Sequence, residues 1–181
     1  SGALGSGDET NPMFLPFGAV QVGGSGATEV MGSANLMRCM VLPAPSTIIG
    51  ATRMDSYIGV LGGNCSMCIY NNADAGTLIA PKVSAVAATA IDCSTTGAKS
   101  KTGLDPFNLF AGAQYRYCWT ADSALTAWAN GGAEINLLVT NDVTVALGSA
   151  ATASAAGVCP ATTGALTSVD SYFLPALRLS H

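Results

Sequence analysis

The chain has 181 residues, enough for one compact domain with its own core, so a second independently folded domain is not expected. Only 10 % of the residues are charged, against roughly 25 % in typical soluble domains, and the formal net charge is −4. The few basic residues are scattered, and no apolar stretch is dense enough to span a bilayer, so neither nucleic-acid binding nor membrane insertion is expected.

Residues 1–18 are predicted to form a flexible N-terminal arm. The segment begins with several glycines and serines, which keep a chain flexible, and then becomes apolar. Its apolar side chains are expected to bind a neighbouring subunit, and they are Met13, Phe14, Leu15 and Phe17. A tail that folds back on its own domain is the alternative.

Residues 19–181 are predicted to form one all-β domain. Apolar residues recur mainly at every second position, the pattern of strands with one buried face. The predicted strands span residues 17–22, 36–42, 47–60, 64–70, 77–80, 114–120, 133–139, 143–147 and 172–179. Helix content should be low. Short strands at this spacing, without alternating helices, predict an antiparallel β-sandwich of jelly-roll type with an extended N-terminal arm.

Six cysteines are spread along the chain. A chain of this length has enough apolar residues to fold without staples, so we expect mostly free, buried thiols, with one or more disulfides as the alternative. Cys65 and Cys68 form a CxxC motif within a predicted strand. Residues three apart on a strand point to opposite faces, so neither a metal site nor a redox pair is expected there.

The sequence offers no catalytic constellation. Its single histidine is His181, and no nucleophile-elbow GxSxG motif is present. The glycine-rich residues 23–26 lack the Lys-Ser/Thr that completes a phosphate-binding loop. Residues 71–74 predict a hairpin turn rather than a calcium site. We therefore predict a protein that is not an enzyme and has no catalytic residue, cofactor or metal ion.

Three aromatic residues alternate along one predicted strand and share a face: Tyr115, Tyr117 and Trp119. We expect this row to be a core layer; exposed, it would be a platform on which sugar rings stack. Trp128 lies near a predicted turn and is the candidate for an exposed aromatic contact with a partner. Its alternative role is to anchor a loop.

Arg38 lies among apolar residues on its predicted strand. A partly buried arginine requires a carboxylate partner. The nearest candidates in the sequence are Asp55 and Glu134.

Short motifs across residues 36–179 resemble the β-sandwich domains of tailed-bacteriophage structural proteins. These motifs are residues 38–43 (RCMVLP), 58–64 (IGVLGGN), 68–76 (CIYNNADAG), 109–117 (LFAGAQYRY) and 174–179 (LPALRL). Cysteines replace the phenylalanine or valine usual at several strand positions. The alanine- and threonine-rich residues 149–167 match nothing in that pattern.

The resemblance implies a virion component assembled in the host cytoplasm. The expected role is a head-decoration (cement) subunit that binds the major capsid protein, or another virion protein, as a trimer. Such contacts would cover a surface that carries few charges. The alternative is a fibre or tail-tip module that binds a receptor or a glycan.

Overall fold

The computed structural model describes residues 13–15, 28–31, 34–60, 63–73, 75–95, 97–123, 125–128, 146–150, 155–168 and 177–181. These residues contain strands and turns but no helix, which confirms the all-β prediction. The strands are β1 Met13–Leu15, β2 Thr28–Met31, β3 Met37–Pro43, β4 Ile48–Ala51, β5 Arg53–Val60, β6 Asn64–Asn71, β7 Leu78–Ala80, β8 Lys82–Val83, β9 Val86–Ala87, β10 Ile91–Asp92, β11 Gly97–Lys101, β12 Phe107–Leu109, β13 Gln114–Ala121, β14 Leu125–Trp128, β15 Ala146–Ala150, β16 Leu166–Ser168 and β17 Leu177–Ser180.

The larger sheet of the described residues has seven strands in the order β10-β6-β13-β3-β15-β16, with β7 also paired to β6. Every pairing in it is antiparallel. Strand β13 lies at its centre and pairs over most of its length with both β3 and β6. This register places Cys118 directly opposite Cys39 on β3 and directly opposite Cys68 on β6.

A six-stranded sheet contains the described N-terminal and C-terminal strands. Its order is β1-β17-β5-β14-β2, and β11 also pairs with β5. These pairings are antiparallel as well. Two shorter sheets, β12-β4 and β8-β9, complete the described pairings.

The prediction of a single strand over residues 47–60 is wrong. Strand β4 ends at Ala51 and pairs with β12, whereas β5 begins at Arg53 and belongs to the six-stranded sheet. Thr52 separates them, and its carbonyl accepts a hydrogen bond from the backbone of Leu104. The predicted strands over residues 17–22 and 133–139 lie outside the described residues.

Side chains from both large sheets form one inner core. The six-stranded sheet contributes Met54, Leu177 and Leu179, and the seven-stranded sheet contributes residues that include Met67 and Trp119. Antiparallel strands alternate their side chains between two faces, so each sheet supplies every second residue to this core. Burial of these side chains is the main stabilising contribution to the fold.

The other face of the seven-stranded sheet is covered as well. Its buried side chains form an outer cluster, which consists of Met37, Cys39, Cys68, Tyr70, Leu78, Cys118 and Cys159. Residues 155–165, here called the strap, lie over this face. Backbone hydrogen bonds attach the strap to the sheet, from Leu78 to the Ala161 carbonyl and from Thr163 to the Gly76 carbonyl. The outer cluster explains why β13 is buried on both faces.

The Arg116 side chain is hydrogen-bonded to the strap. Its Nη1 donates to Thr163 Oγ1 and, at 2.8 Å, to the Gly164 carbonyl, and its Nε donates to Asn72 Oδ1 at 3.2 Å. Burial lowers the pKa of its guanidinium group. These bonds join the strap to the turn that follows β6.

All six cysteines are paired, so the expectation of mostly free thiols is wrong. The disulfides are Cys39–Cys118, Cys65–Cys93 and Cys68–Cys159. The first joins two residues that strand register sets directly opposite each other, and the third attaches the strap to β6. Partners separated by 28 to 91 residues in sequence meet only through sheet register, which composition does not reveal.

Two buried tyrosines differ in whether the hydroxyl group has a hydrogen-bond partner. Tyr70 donates its hydroxyl to the Pro160 carbonyl at 2.9 Å, whereas the Tyr117 hydroxyl is buried without a hydrogen-bond partner among the described residues. We expect Tyr70→Phe to lower the free energy of unfolding by about 1 kcal/mol, and Tyr117→Phe to leave it unchanged or raise it. Urea denaturation of both variants measures this difference. A larger loss in Tyr117→Phe than in Tyr70→Phe contradicts the assignment.

Burial also raises the pKa of both hydroxyls above the usual value for tyrosine. Their contribution to stability is fully present below the unfolded-state pKa, about 10, and is lost as the pH rises beyond it. The wild-type protein should therefore lose stability above pH 10. The free energy of unfolding of Tyr117→Phe should fall less steeply with pH above pH 10.

Candidate interaction surface

The large apolar side chains that are exposed in the described residues lie on the two short sheets. They are Ile49, Val83, Val86 and Phe110. Phe110 is 54 % exposed and Val86 is 65 % exposed. Apolar side chains scattered over a surface need no explanation, but residues 104–110 include Phe110 and contact both elements that present the other three, the β8–β9 turn and β4.

The β4–β12 pair directs one face inward and the other to solvent. Ile48 pairs with Leu109, and both side chains are buried in the inner core. Because side chains alternate along a strand, Ile49 lies on the opposite, outer face, and Phe110, the residue that follows β12, is exposed as well. The Phe110 backbone N–H donates to the Tyr115 hydroxyl at 3.0 Å, which fixes the chain at this point.

The β8–β9 hairpin presents Val83 and Val86 on either side of a two-residue turn. The turn residues Ser84 and Ala85 have φ values of 52° and 63°, the left-handed conformation that a tight hairpin turn requires. The Asp105 carboxylate accepts hydrogen bonds from both turn amides, at 2.9 and 2.6 Å. A backbone that lacks glycine at both positions is therefore held in place by a side chain from a neighbouring segment.

Residues 104–110 connect the two short sheets. The Asp105 backbone donates to the Lys82 carbonyl at 2.8 Å, and Phe107 pairs with Ala51. One stretch of chain thus positions both pairs of exposed apolar side chains. We call Ile49, Val83, Val86 and Phe110 the apolar surface.

No protein-family model, curated protein or solved structure matches this chain. The function is therefore inferred from the chain's own residues and surface. These side chains are apolar, and hydrogen bonds hold their backbone in place. Such a surface suits contact with another protein, because little conformational entropy is lost when it is covered.

For the predicted partner-binding residues the structure describes only backbone pairing. The backbone of Met13, Phe14 and Leu15 pairs with β17 of the same chain. Trp128 pairs through its backbone with Thr28 at the end of β14. Phe17 and the side chains of the other four residues lie outside what the structure describes, so the role of all five as partner contacts stays a prediction.

The prediction that the aromatic row is a core layer is confirmed. Tyr115, Tyr117 and Trp119 all belong to the inner core, and the Tyr115 and Tyr117 rings contact edge to face, with centroids 6.4 Å apart. Trp119 is only 1 % exposed. This face of β13 therefore cannot stack on a sugar ring.

The CxxC motif is divided between the two faces of β6, as predicted. Cys65 joins the inner core and bonds to Cys93, whereas Cys68 joins the outer cluster and bonds to Cys159. In the described ranges, no group of three or more His, Cys, Asp or Glu side chains is placed to bind a metal ion. Nor does that part of the chain contain a helix with the length and hydropathy needed to cross a membrane.

The predicted hairpin turn after β6 is present. Asn71 Oδ1 accepts a hydrogen bond from the Thr77 backbone, and the Gly76 backbone donates to the Ala73 carbonyl, each at 2.9 Å. Gly76 has a φ of 72°, the left-handed conformation that favours glycine. Asn72 Oδ1 accepts a hydrogen bond from Arg116 Nε, and Asp74 lies outside the described residues.

The suggested pairing of Arg38 with Asp55 is wrong. Asp55 lies on the six-stranded sheet, where Arg53 Nε donates to its carboxylate at 2.8 Å and Arg178 Nη1 is 4.0 Å away. Arg38 lies on β3 of the other sheet, opposite Trp119. Glu134, the second suggested partner, lies outside the described residues.

Proposed function

We propose that this chain is a non-enzymatic structural subunit of a virion: a head-decoration (cement) protein that binds the major capsid protein as a trimer. In this proposal the two large sheets form a β-sandwich of jelly-roll type. In it, residues 1–18 form an arm in which β1 pairs with β17 of the same chain and the apolar side chains contact a neighbouring subunit. The subunit is assembled on heads in the host cytoplasm.

The observation that carries the proposal is the apolar surface on a chain with few charges. Ile49 and Phe110 are both about half exposed although the inner core lies directly beneath them. A protein that is dispersed alone in water is usually protected by interspersed charges. Coverage by copies of itself and by a capsid lattice removes that requirement.

The disulfides suit a subunit that is assembled in the cytoplasm but works in the released particle, outside that reducing compartment. All six cysteines are bonded, and such bonds persist in oxidising surroundings, which include virion surfaces. Cross-links that close long loops also stabilise a small subunit against unfolding. A particle that spends long periods outside a cell benefits from both properties.

The oligomeric state tests the proposal. We expect the full chain to show three times its mass of 18.1 kDa in size-exclusion chromatography with light scattering. Replacing Ile49 and Phe110 together with serine removes about 3 kcal/mol of apolar burial per contact, which raises the dissociation constant about 100-fold. Ala98→Ser, at an exposed position on β11, is the matched control and should remain trimeric.

A wild-type chain that is monomeric at high micromolar concentration would overturn this proposal. If the Ile49/Phe110 variant is still a trimer, the apolar surface is not part of the trimer interface. In that case the arm anchors Met13, Phe14, Leu15 and Phe17 would be the next residues to substitute. A reproducible signal on a glycan array from a monomer would favour the receptor-binding alternative.

A further inference from the structure

Three cysteines form one row across the centre of the seven-stranded sheet. Cys39 on β3, Cys118 on β13 and Cys68 on β6 occupy the same register position on neighbouring strands. All three side chains belong to the outer cluster and so lie on one face of the sheet. The middle cysteine, Cys118, therefore has a cysteine neighbour on each side.

Judged by the spacing of Cα atoms, either neighbour is expected to reach Cys118. The Cα atoms of Cys39 and Cys118 are 4.0 Å apart, the close spacing of a pair without direct backbone hydrogen bonds. In an antiparallel sheet the same residue then forms the hydrogen-bonded type of pair with its other neighbour, at about 5.5 Å between Cα atoms. That spacing falls in the middle of the range for disulfides.

The fourth cysteine of the outer cluster lies on the strap. Cys159 bonds to Cys68, with a Cα–Cα distance of 5.9 Å, and this is the only disulfide in the described residues that attaches the strap. A thiol at Cys68 would thus both release the strap and face the Cys39–Cys118 bond. Cys65 differs, because it lies on the opposite face of β6 in the inner core.

We propose that these four cysteines form a thiol–disulfide exchange switch that releases the strap. Both Cys68 and Cys159 are buried, so an external dithiol reaches their bond when the strap opens locally; it reduces the bond to two thiols and is itself oxidised to a disulfide. The Cys68 thiolate then attacks Cys118 Sγ; a Cys68–Cys118 bond forms, the Cys39–Cys118 bond breaks, and the electron pair leaves on Cys39 Sγ. Cys39 takes up the proton that Cys68 has lost, so the second step involves no net oxidation.

The row geometry favours this exchange. Displacement at a disulfide sulfur requires the incoming and leaving sulfurs on opposite sides of the attacked one, and Cys68 and Cys39 lie on opposite sides of Cys118 across the sheet. The exchanged protein has free thiols at Cys39 and Cys159. No disulfide then attaches its strap, which keeps its hydrogen bonds, such as those from Arg116, and its packing on the outer cluster. The switch is independent of the proposed virion role.

A pair of single variants tests the exchange in the full chain. Cys159→Ser leaves a thiol at Cys68, beside Cys118, and Cys93→Ser leaves a thiol at Cys65, on the other face. Free thiols are blocked with N-ethylmaleimide at weakly acidic pH. Cyanogen bromide, trypsin and an Asp-specific protease then place each cysteine on its own fragment for mass spectrometry.

We expect Cys159→Ser to contain both Cys39–Cys118 and Cys68–Cys118 bonds, in amounts within about tenfold of each other, because both pairs fit the same sheet. Cys93→Ser should retain both native bonds of the outer cluster and be blocked only at Cys65. A Cys159→Ser protein that is blocked only at Cys68, with the Cys39–Cys118 bond intact, would overturn the proposal.

The wild-type protein provides a test that does not depend on the folding of a variant. After partial reduction with limiting dithiothreitol, we expect Cys68–Cys118 fragments together with blocked Cys39 and Cys159. The backbone amide of Thr163, bonded to Gly76 in the native state, should exchange with deuterium faster in the same sample. Blocking confined to Cys68 and Cys159 would show simple reduction and contradict the exchange.

Discussion

Replacing Cys68 and Cys159 together with alanine is expected to lower the free energy of unfolding by about 4 to 5 kcal/mol. The bond closes a loop across 91 residues, and releasing such a constraint increases the entropy of the unfolded chain. Removing the Cys65–Cys93 bond, which spans 28 residues, should cost about 1 kcal/mol less by the same relation. Urea denaturation of the two double variants measures both losses.

The two double variants should also differ in which part of the structure opens more readily. Without Cys68–Cys159 the strap retains its hydrogen bonds, such as Leu78 to the Ala161 carbonyl, but no longer has a covalent attachment. Hydrogen exchange should therefore accelerate at the amides of Leu78 and Thr163 in that variant only. An equal acceleration in the Cys65/Cys93 variant would show that the Cys68–Cys159 bond does not act as the strap's attachment. An equal loss of stability would contradict the argument from loop length.

Local patterns predicted the faces of single strands well. The alternation of Tyr115, Tyr117 and Trp119 identified the buried face of β13, and the spacing of Cys65 and Cys68 placed them on opposite faces. Both predictions depend only on the two-residue period of a strand. The glycine- and asparagine-rich turn after β6 was predictable for a similar reason, since its bonds are local.

Features that depend on register between distant strands were missed. The sequence did not pair Cys39 with Cys118, because only the β3–β13 register sets them opposite each other. The boundary at Thr52 was missed because residues 51–54 contain no proline, glycine or asparagine to mark the passage between sheets. The apolar surface was missed as well, since exposure of Phe110 depends on what packs over β12. Strands as short as β8 and β9 carry too few residues for a period to be visible.

The Trp119→Ala variant is expected to lose about 3 to 5 kcal/mol of stability. Trp119 is among the largest fully buried side chains of the inner core, so its removal leaves a cavity that the two sheets cannot close. Phe110→Ala, at a half-exposed position, should cost about 0.5 kcal/mol or less in the monomer and is the matched control. Guanidinium denaturation followed by circular dichroism compares them. Equal losses would indicate that Trp119 is at the surface, where it could stack on a sugar ring. The expected difference assigns this side chain to the core that both sheets share.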